Sequence, residues 1–234
     1  SGETYFVVCG FGNNNGGLYL EPASNTGQSK TLNPSAGATR AYTGDFNGDG
    51  INDIIALNAQ SRESIDMYYG REDRGFDTVN IVRFPPIYGS TYFELADFNG
   101  DGHPDILYTC GDNADYTGNT LKYYHGIYIY LNDGRNHFTQ RYFFPQHGTI
   151  KSIARDFDCD GDLDIAAISF FPDKKDQPQE AFVYLENKGN FSFAPFTVPS
   201  FDQGRWMTMD AGDVDVDGDD DIILGSMILP SAKR

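Results

Sequence analysis

Apolar residues in this chain fall in short runs, and none keeps helical spacing over a useful length. Four kinds of segment recur in a fixed order. Half-apolar stretches come first: ATRAYTG, TYFELA, TIKSIAR and RWMTMDAG. Continuous apolar runs follow: DIIAL, DILYT, DIAAI and DIILG. A third set alternates aromatic or β-branched residues with polar ones: SIDMYYG, GIYIYLND and AFVYLEN. FDTVNIVRF, FTQRYFF and FSFAPFTV make the fourth. Gly, Asn, Asp and Pro bound these runs, so they read as β-strands joined by turns.

Between the first and second segment of every set stands the same kind of loop. The nonapeptides are DFNGDGIND, DFNGDGHPD, DFDCDGDLD and DVDVDGDDD, starting at 45, 97, 156 and 213. Their intervals are 52, 59 and 57 residues. A period of this size with four strands per unit predicts an all-β fold, a β-propeller of four-stranded antiparallel blades. The expected single repeat domain has a partial blade over 1–38 and full blades over about 39–90, 91–148 and 149–203. A second partial blade covers 204–234. TYFVVCG aligns with a second strand, so the two ends offer three strands and two, whereas a blade shared between termini needs three and one. The expectation is a piece of a larger propeller, or one completed by a neighbouring chain.

Each nonapeptide places oxygen-bearing side chains at positions 1, 3, 5 and 9, with Gly at position 6 for the bend. Position 7 offers its carbonyl. Carboxylate-rich, all-oxygen ligation suits Ca²⁺, whereas transition metals favour His or Cys. An EF-hand is excluded, because a strand has begun before position 12 and no Glu stands there. The expected ligands are Asp45, Asn47, Asp49, the Ile51 carbonyl and Asp53 in the first loop. The second has Asp97, Asn99, Asp101, the His103 carbonyl and Asp105. The third has Asp156, Asp158, Asp160, the Asp162 carbonyl and Asp164. The fourth has Asp213, Asp215, Asp217, the Asp219 carbonyl and Asp221.

Composition sharpens this picture. The net charge of −17 argues against nucleic acid and anionic membrane as partners, and no run of apolar residues is long enough to span a bilayer. Half of the 34 Asp and Glu residues sit in the four nonapeptides, gathered as for a cation. Four bound Ca²⁺ ions would bring the formal charge to about −9. The three cysteines give no disulfide framework. Cys9 and Cys110 read as small core residues, and Cys159 occupies a non-ligand position of the third loop.

The pattern D-x-[DN]-x-D-G-x-x-D-[IL] ahead of a short strand resembles the FG-GAP/VCBS repeat, as in integrin α-subunit propellers and many bacterial secreted proteins. The resemblance runs from about Tyr5 to Leu229. The Phe-Gly and Gly-Ala-Pro elements of the integrin type are not evident, so the bacterial branch is the nearer one. The resemblance implies a propeller, usually of seven or eight blades, with one Ca²⁺ per loop. It also admits carbohydrate-active enzymes, since some such propellers are polysaccharide lyases.

Extracellular calcium modules bind at about 10⁻⁴–10⁻³ M, so the expected home is extracellular, cell-surface or periplasmic. Function is expected on the opposite blade face, where the loops Cys110–Gly126 and Ser169–Glu180 are long. Asp112, Asn113, Asp115, Tyr116, Tyr124 and His125 combine planar hydrogen-bonding groups with aromatics suited to a glycan or peptide ligand. No catalytic residues are assigned, because the four histidines stand in no recognisable pairing and no GxSxG, HExxH or phosphate loop occurs. The expected role is a binding or adhesion scaffold. Its alternatives are a filament subunit joined to copies of itself through unpaired terminal strands, and a lyase. Asn190-Phe191-Ser192 is an N-glycosylation sequon, and Asp77–Val79 resembles a short bacterial O-glycosylation motif.

Overall fold

A computed structural model describes residues 4–12, 16–24, 27–60, 62–114 and 120–227 of the 234. Its strands form five antiparallel sheets in chain order. The first sheet has β1 (Tyr5–Gly10), β2 (Gly17–Pro22) and β3 (Lys30–Asn33). The second has β4 (Ala38–Gly44), β5 (Asp53–Asn58), β6 (Ser64–Gly70) and β7 (Phe76–Arg83). The third has β8 (Ser90–Ala96), β9 (Asp105–Cys110), β10 (Gly126–Asn132) and β11 (Phe138–Pro145). The fourth has β12 (Thr149–Arg155), β13 (Asp164–Ser169), β14 (Phe182–Asn187) and β15 (Phe193–Phe196). The fifth has β16 (Trp206–Gly212) and β17 (Asp221–Ser226). Each four-stranded sheet pairs its strands in sequence order, as a propeller blade does. Among the described residues the helical content is one 3₁₀ turn, Pro178–Ala181, and no helix is long and apolar enough to cross a membrane.

The sheets repeat in detail as well as in order. A register shift follows the first residue of the opening strand at Ala38/Arg40, Thr149/Lys151 and Trp206/Thr208. A second shift lies between the last two strands of a sheet at Leu18/Tyr19, Ile65/Asp66 and Ile129/Tyr130. Bulges bend and twist a strand, and here they recur at matching places in different sheets.

The continuous apolar runs have a packing cause. β5, β9 and β13 are buried at every residue. In β13, Ile165 and Ala167 join a core with Leu107, Ile127 and Leu185. Ala166 and Ile168 face the other way, into a core with Ile153, Phe182 and Met209. A strand with period-2 side chains must be apolar throughout when sheets cover both of its faces. β17 has the same sequence character, but among the described residues no strand pairs outside it, and its residues are only half-buried or exposed. Phe6 and Val8 of β1 are likewise exposed, at 62% and 39%.

The chain divides into two compact units. One comprises residues 1–90 with 133–137, the other 91–132 with 138–234. In the first unit, Leu18, Leu20, Ala38, Ile54, Ala56 and Tyr68 form the core between the first two sheets. In the second, Glu94 of β8 is buried and ties two sheets together. Its carboxylate accepts from the Ala154 amide at 3.0 Å and from the Arg155 guanidinium at 2.8 Å.

Candidate metal centres

The four acidic loops join the first and second strands of their sheets, and each folds around its first aspartate. Asp45 Oδ1 accepts from the amides of Gly48 at 2.7 Å and Asp49 at 3.2 Å, and Oδ2 accepts from Gly50 at 2.8 Å. Asp97 repeats all three bonds, at 2.8, 3.2 and 2.8 Å. Asp156 and Asp213 accept from the amides at positions 5 and 6 of their loops. The fifth-position carboxylate then accepts from the position 7 amide: Ile51 and His103 at 2.8 Å, Asp162 at 3.1 Å, Asp219 at 3.3 Å. These are Asx-type turns, in which a side chain replaces a backbone partner. They hold the loop curled with its carboxylates on the inside.

The ninth-position aspartates have a further job. Asp53 is fully buried, and its two oxygens accept from Phe46 N at 3.0 Å and Gly70 N at 2.8 Å. Asp105 does the same with Phe98 at 2.9 Å and Asn132 at 2.8 Å. Asp164 accepts from Asn187 N at 2.8 Å and the Tyr184 hydroxyl at 2.6 Å. Each therefore clasps its loop or sheet to the end of the third strand. Among the described residues Asp221 has no third strand beside it and accepts from the Val214 amide alone, at 3.0 Å, and it is half-buried. A carboxylate has about four lone-pair sites, so a metal ligand role and this clasp are compatible.

Position 4 of the loop requires a left-handed backbone. Gly48 (φ 77°) and Gly100 (φ 71°) supply it in the first two loops. Cys159 (φ 59°) and Val216 (φ 64°) adopt it in the last two, although a β-branched residue is strained there.

The donor set fits a hard divalent cation. Asp156, Asp158 and Asp160 bring carboxylate oxygens within 4.8 Å of one another, and so do Asp213, Asp215 and Asp221. In the first two loops an Asn, Asn47 or Asn99, stands at position 3 and hydrogen-bonds the fifth-position Asp at 3.0 or 2.8 Å. The electrostatics follow this difference. Amide donors from Gly50 and its neighbours hold Asp45 below the usual carboxylate range, and the His103 amide and Asn99 do so for Asp101. In the third loop, burial and then crowding by Asp160 and Asp164 push Asp158 and Asp162 up. In the fourth, Asp217 pushes Asp219 up. Burial also raises Asp105. Carboxylates crowded in this way are relieved by a cation or a proton.

The residues expected to bind a ligand lie elsewhere in the second unit. Asp112 caps a turn by accepting from the Ala114 amide at 2.8 Å. Asn113 is buried and donates to the Thr120 carbonyl at 3.0 Å. Tyr124 packs edge-on against His125, with ring centroids 5.3 Å apart. His125 is 1% exposed with both ring nitrogens unpartnered among the described residues, and burial, then Lys122 and His147, push its pKa down to about 4. Asp115 and Tyr116 lie outside the described residues. His125 stands where the second sheet has Glu63: the backbone carbonyl of each accepts the amide that follows the fourth strand of its sheet. Glu63 also receives the Ser90 amide and hydroxyl, which His125 does not parallel. Asn190 is exposed in the β14–β15 turn, and Asp77 lies on β7 in an ion pair with Arg71 at 3.0 Å. Sequence reasoning missed the Asp53 and Asp105 clasps and the strained fourth position. The signal for the latter was the change from Gly48 and Gly100 to Cys159 and Val216.

Comparison with known proteins follows the same loops. The model of the FG-GAP-like repeat matches residues 45–108 and 156–224. No curated protein matches the sequence. Among solved structures, a Bacillus licheniformis rhamnogalacturonan lyase is similar over 95% of this chain at 17% identity, with a TM-score of 0.45. This chain spans 44% of that one.

Proposed function

The chain belongs to the FG-GAP-like repeat family, and from that premise we propose that it is a calcium-stabilised scaffold that acts by binding, outside the cytosol. The observation that carries this reading is one acidic loop recurring four times, each curled by the same amide bonds to its first and fifth aspartates, with carboxylates clustered in the last two. Asp45, Asn47, Asp49 and Asp53 would hold the ion in the first loop, with the Ile51 carbonyl, and the equivalent residues would do so in the other three. Calcium supplies positive charge that offsets carboxylate repulsion, most of all around Asp158, Asp162 and Asp219. Each filled loop then braces the first two strands of its sheet, and through Asp53, Asp105 or Asp164 the third.

At about 1 mM Ca²⁺ and a dissociation constant of about 10⁻⁴–10⁻³ M, each site adds about 0.4–1.4 kcal/mol by mass action, and at about 5 mM about 1–2 kcal/mol. In a cytosol such sites stay mostly empty, which supports an extracellular or periplasmic location. The partners of such a scaffold are a glycan, another protein or a second copy of the chain. Calorimetric titration of chelator-stripped protein with Ca²⁺ tests the metal reading. We expect four ions per chain, falling to three in Asp97→Ala. A titration without heat, or an unchanged stoichiometry in that variant, would refute it.

A further inference from the structure

In the first unit, β3 of the first sheet and β6 and β7 of the second enclose a cavity of about 360 Å³, within the range of small-ligand pockets. It lies at the end of the second sheet opposite the acidic loop, where β5 finishes at Asn58 and β6 begins at Ser64. Its floor is a fixed polar network. Asp66 Oδ2 accepts from Asn58 Nδ2 at 2.8 Å and Ser64 Oγ at 3.2 Å, and Oδ1 accepts from Asn80 Nδ2 at 2.7 Å. Asn58 and Ser64 are buried, at 5% and 6% exposure, so these groups are positioned before any ligand arrives. Two guanidinium groups, Arg62 and Arg83, also line the cavity. Both residues are exposed and neither has an ion pair among the described residues.

Two unpaired arginines beside one cavity run against the trend of a chain with net charge −17. A guanidinium fork matches carboxylate or sulfate oxygens bidentately. The floor interleaves donors and acceptors within one network, which suits groups that do both at once, namely hydroxyls. Few apolar side chains line the cavity, so an apolar ligand has little to bury against. We propose that this cavity binds an anionic saccharide, with its acidic group on Arg62 and Arg83 and its hydroxyls on the Asp66 network.

The inference rests on the scaffold reading and is tested with the full chain in millimolar Ca²⁺, where chelator melting without saccharide tests that reading separately. The probes are a hyaluronan tetrasaccharide (carboxylate only), a carrageenan tetrasaccharide (sulfate only), a neutral maltotetraose and hexaglutamate, titrated by calorimetry or NMR shift mapping. At least one acidic saccharide should bind, with affinity falling as salt rises, and the arm that binds identifies the acidic group. Arg62→Ala and Arg83→Ala should each weaken it about tenfold, the scale of one charge-assisted hydrogen bond. Their melting temperatures should stay unchanged, since both side chains are exposed. Asp66→Asn should weaken the saccharide while leaving Arg62 and Arg83 in place. The proposal is overturned if no acidic saccharide binds, if maltotetraose or hexaglutamate binds as tightly, or if the arginine variants bind as the parent does.

Discussion

Val216→Gly should stabilise this protein, against the usual cost of glycine in a folded chain. Val216 sits at φ 64°, and its side chain is 86% exposed, so removing it forfeits almost no burial. An L-residue in the left-handed region costs about 1–2 kcal/mol relative to its preferred conformation. Glycine escapes that cost but gains unfolded-state freedom worth about 0.5–1 kcal/mol. The difference favours the variant by about 0.5–1 kcal/mol, or a rise in melting temperature of about 1–4 °C for a chain of this size. The reverse exchange supplies the control. A Cβ at Gly48 or Gly100 would meet nothing within 4 Å, so Gly48→Val should lose about 0.5–1 kcal/mol, the backbone strain less the unfolded-state freedom that glycine had. Urea unfolding with and without Ca²⁺ measures both. If Val216→Gly destabilises, or Gly48→Val is neutral, the left-handed fourth position is not what constrains these loops.

Three further outcomes follow from the loops and the buried histidine. Asp53→Asn turns an amide NH₂ toward one of two backbone donors, so it should cost about 1–3 kcal/mol in urea unfolding under chelator. Asp221→Asn, with one such donor and partial exposure, should cost less, and equal losses would contradict the clasp. His125 is held neutral when folded, with its pKa at about 4 against an ordinary value of about 6.5. A base with a depressed folded pKa binds fewer protons than the unfolded chain. Its contribution is therefore full above about pH 6.5 and is lost as pH falls toward 4, by about 3 kcal/mol in all. His125→Gln should be relatively more stable at pH 4.5 than at pH 7, measured against the parent in the same buffers; parallel pH profiles would show that His125 does not titrate this way.

The sheets and acidic loops were legible in the sequence because they are local and repeated. The runs DIIAL, DILYT and DIAAI are apolar throughout, since a strand covered on both faces has no polar side to show. DFNGDG could be read as a curled acidic loop because Asx turns are set by residues two to five apart. Other features depend on chain segments that meet only in the fold. Nothing near Asp105 in sequence signals that it will receive the amide of Asn132, 27 residues on. Asn33 ends β3, Arg62 lies in the β5–β6 connection and Arg83 ends β7, so no spacing announces their shared cavity. His125 looked like a surface ligand group in a long loop, but its place at the start of β10 buries it.

Thermal unfolding of the intact chain in 5 mM Ca²⁺ and in excess chelator tests the calcium account most directly. Four sites contributing about 1–2 kcal/mol each should raise the melting temperature by at least about 10 °C over the chelated protein. Mg²⁺ at the same concentration should restore much less, because it demands a tighter octahedral shell than these loops offer. Identical melting in Ca²⁺ and chelator would contradict the account, and the inward-turned carboxylates would then need another explanation.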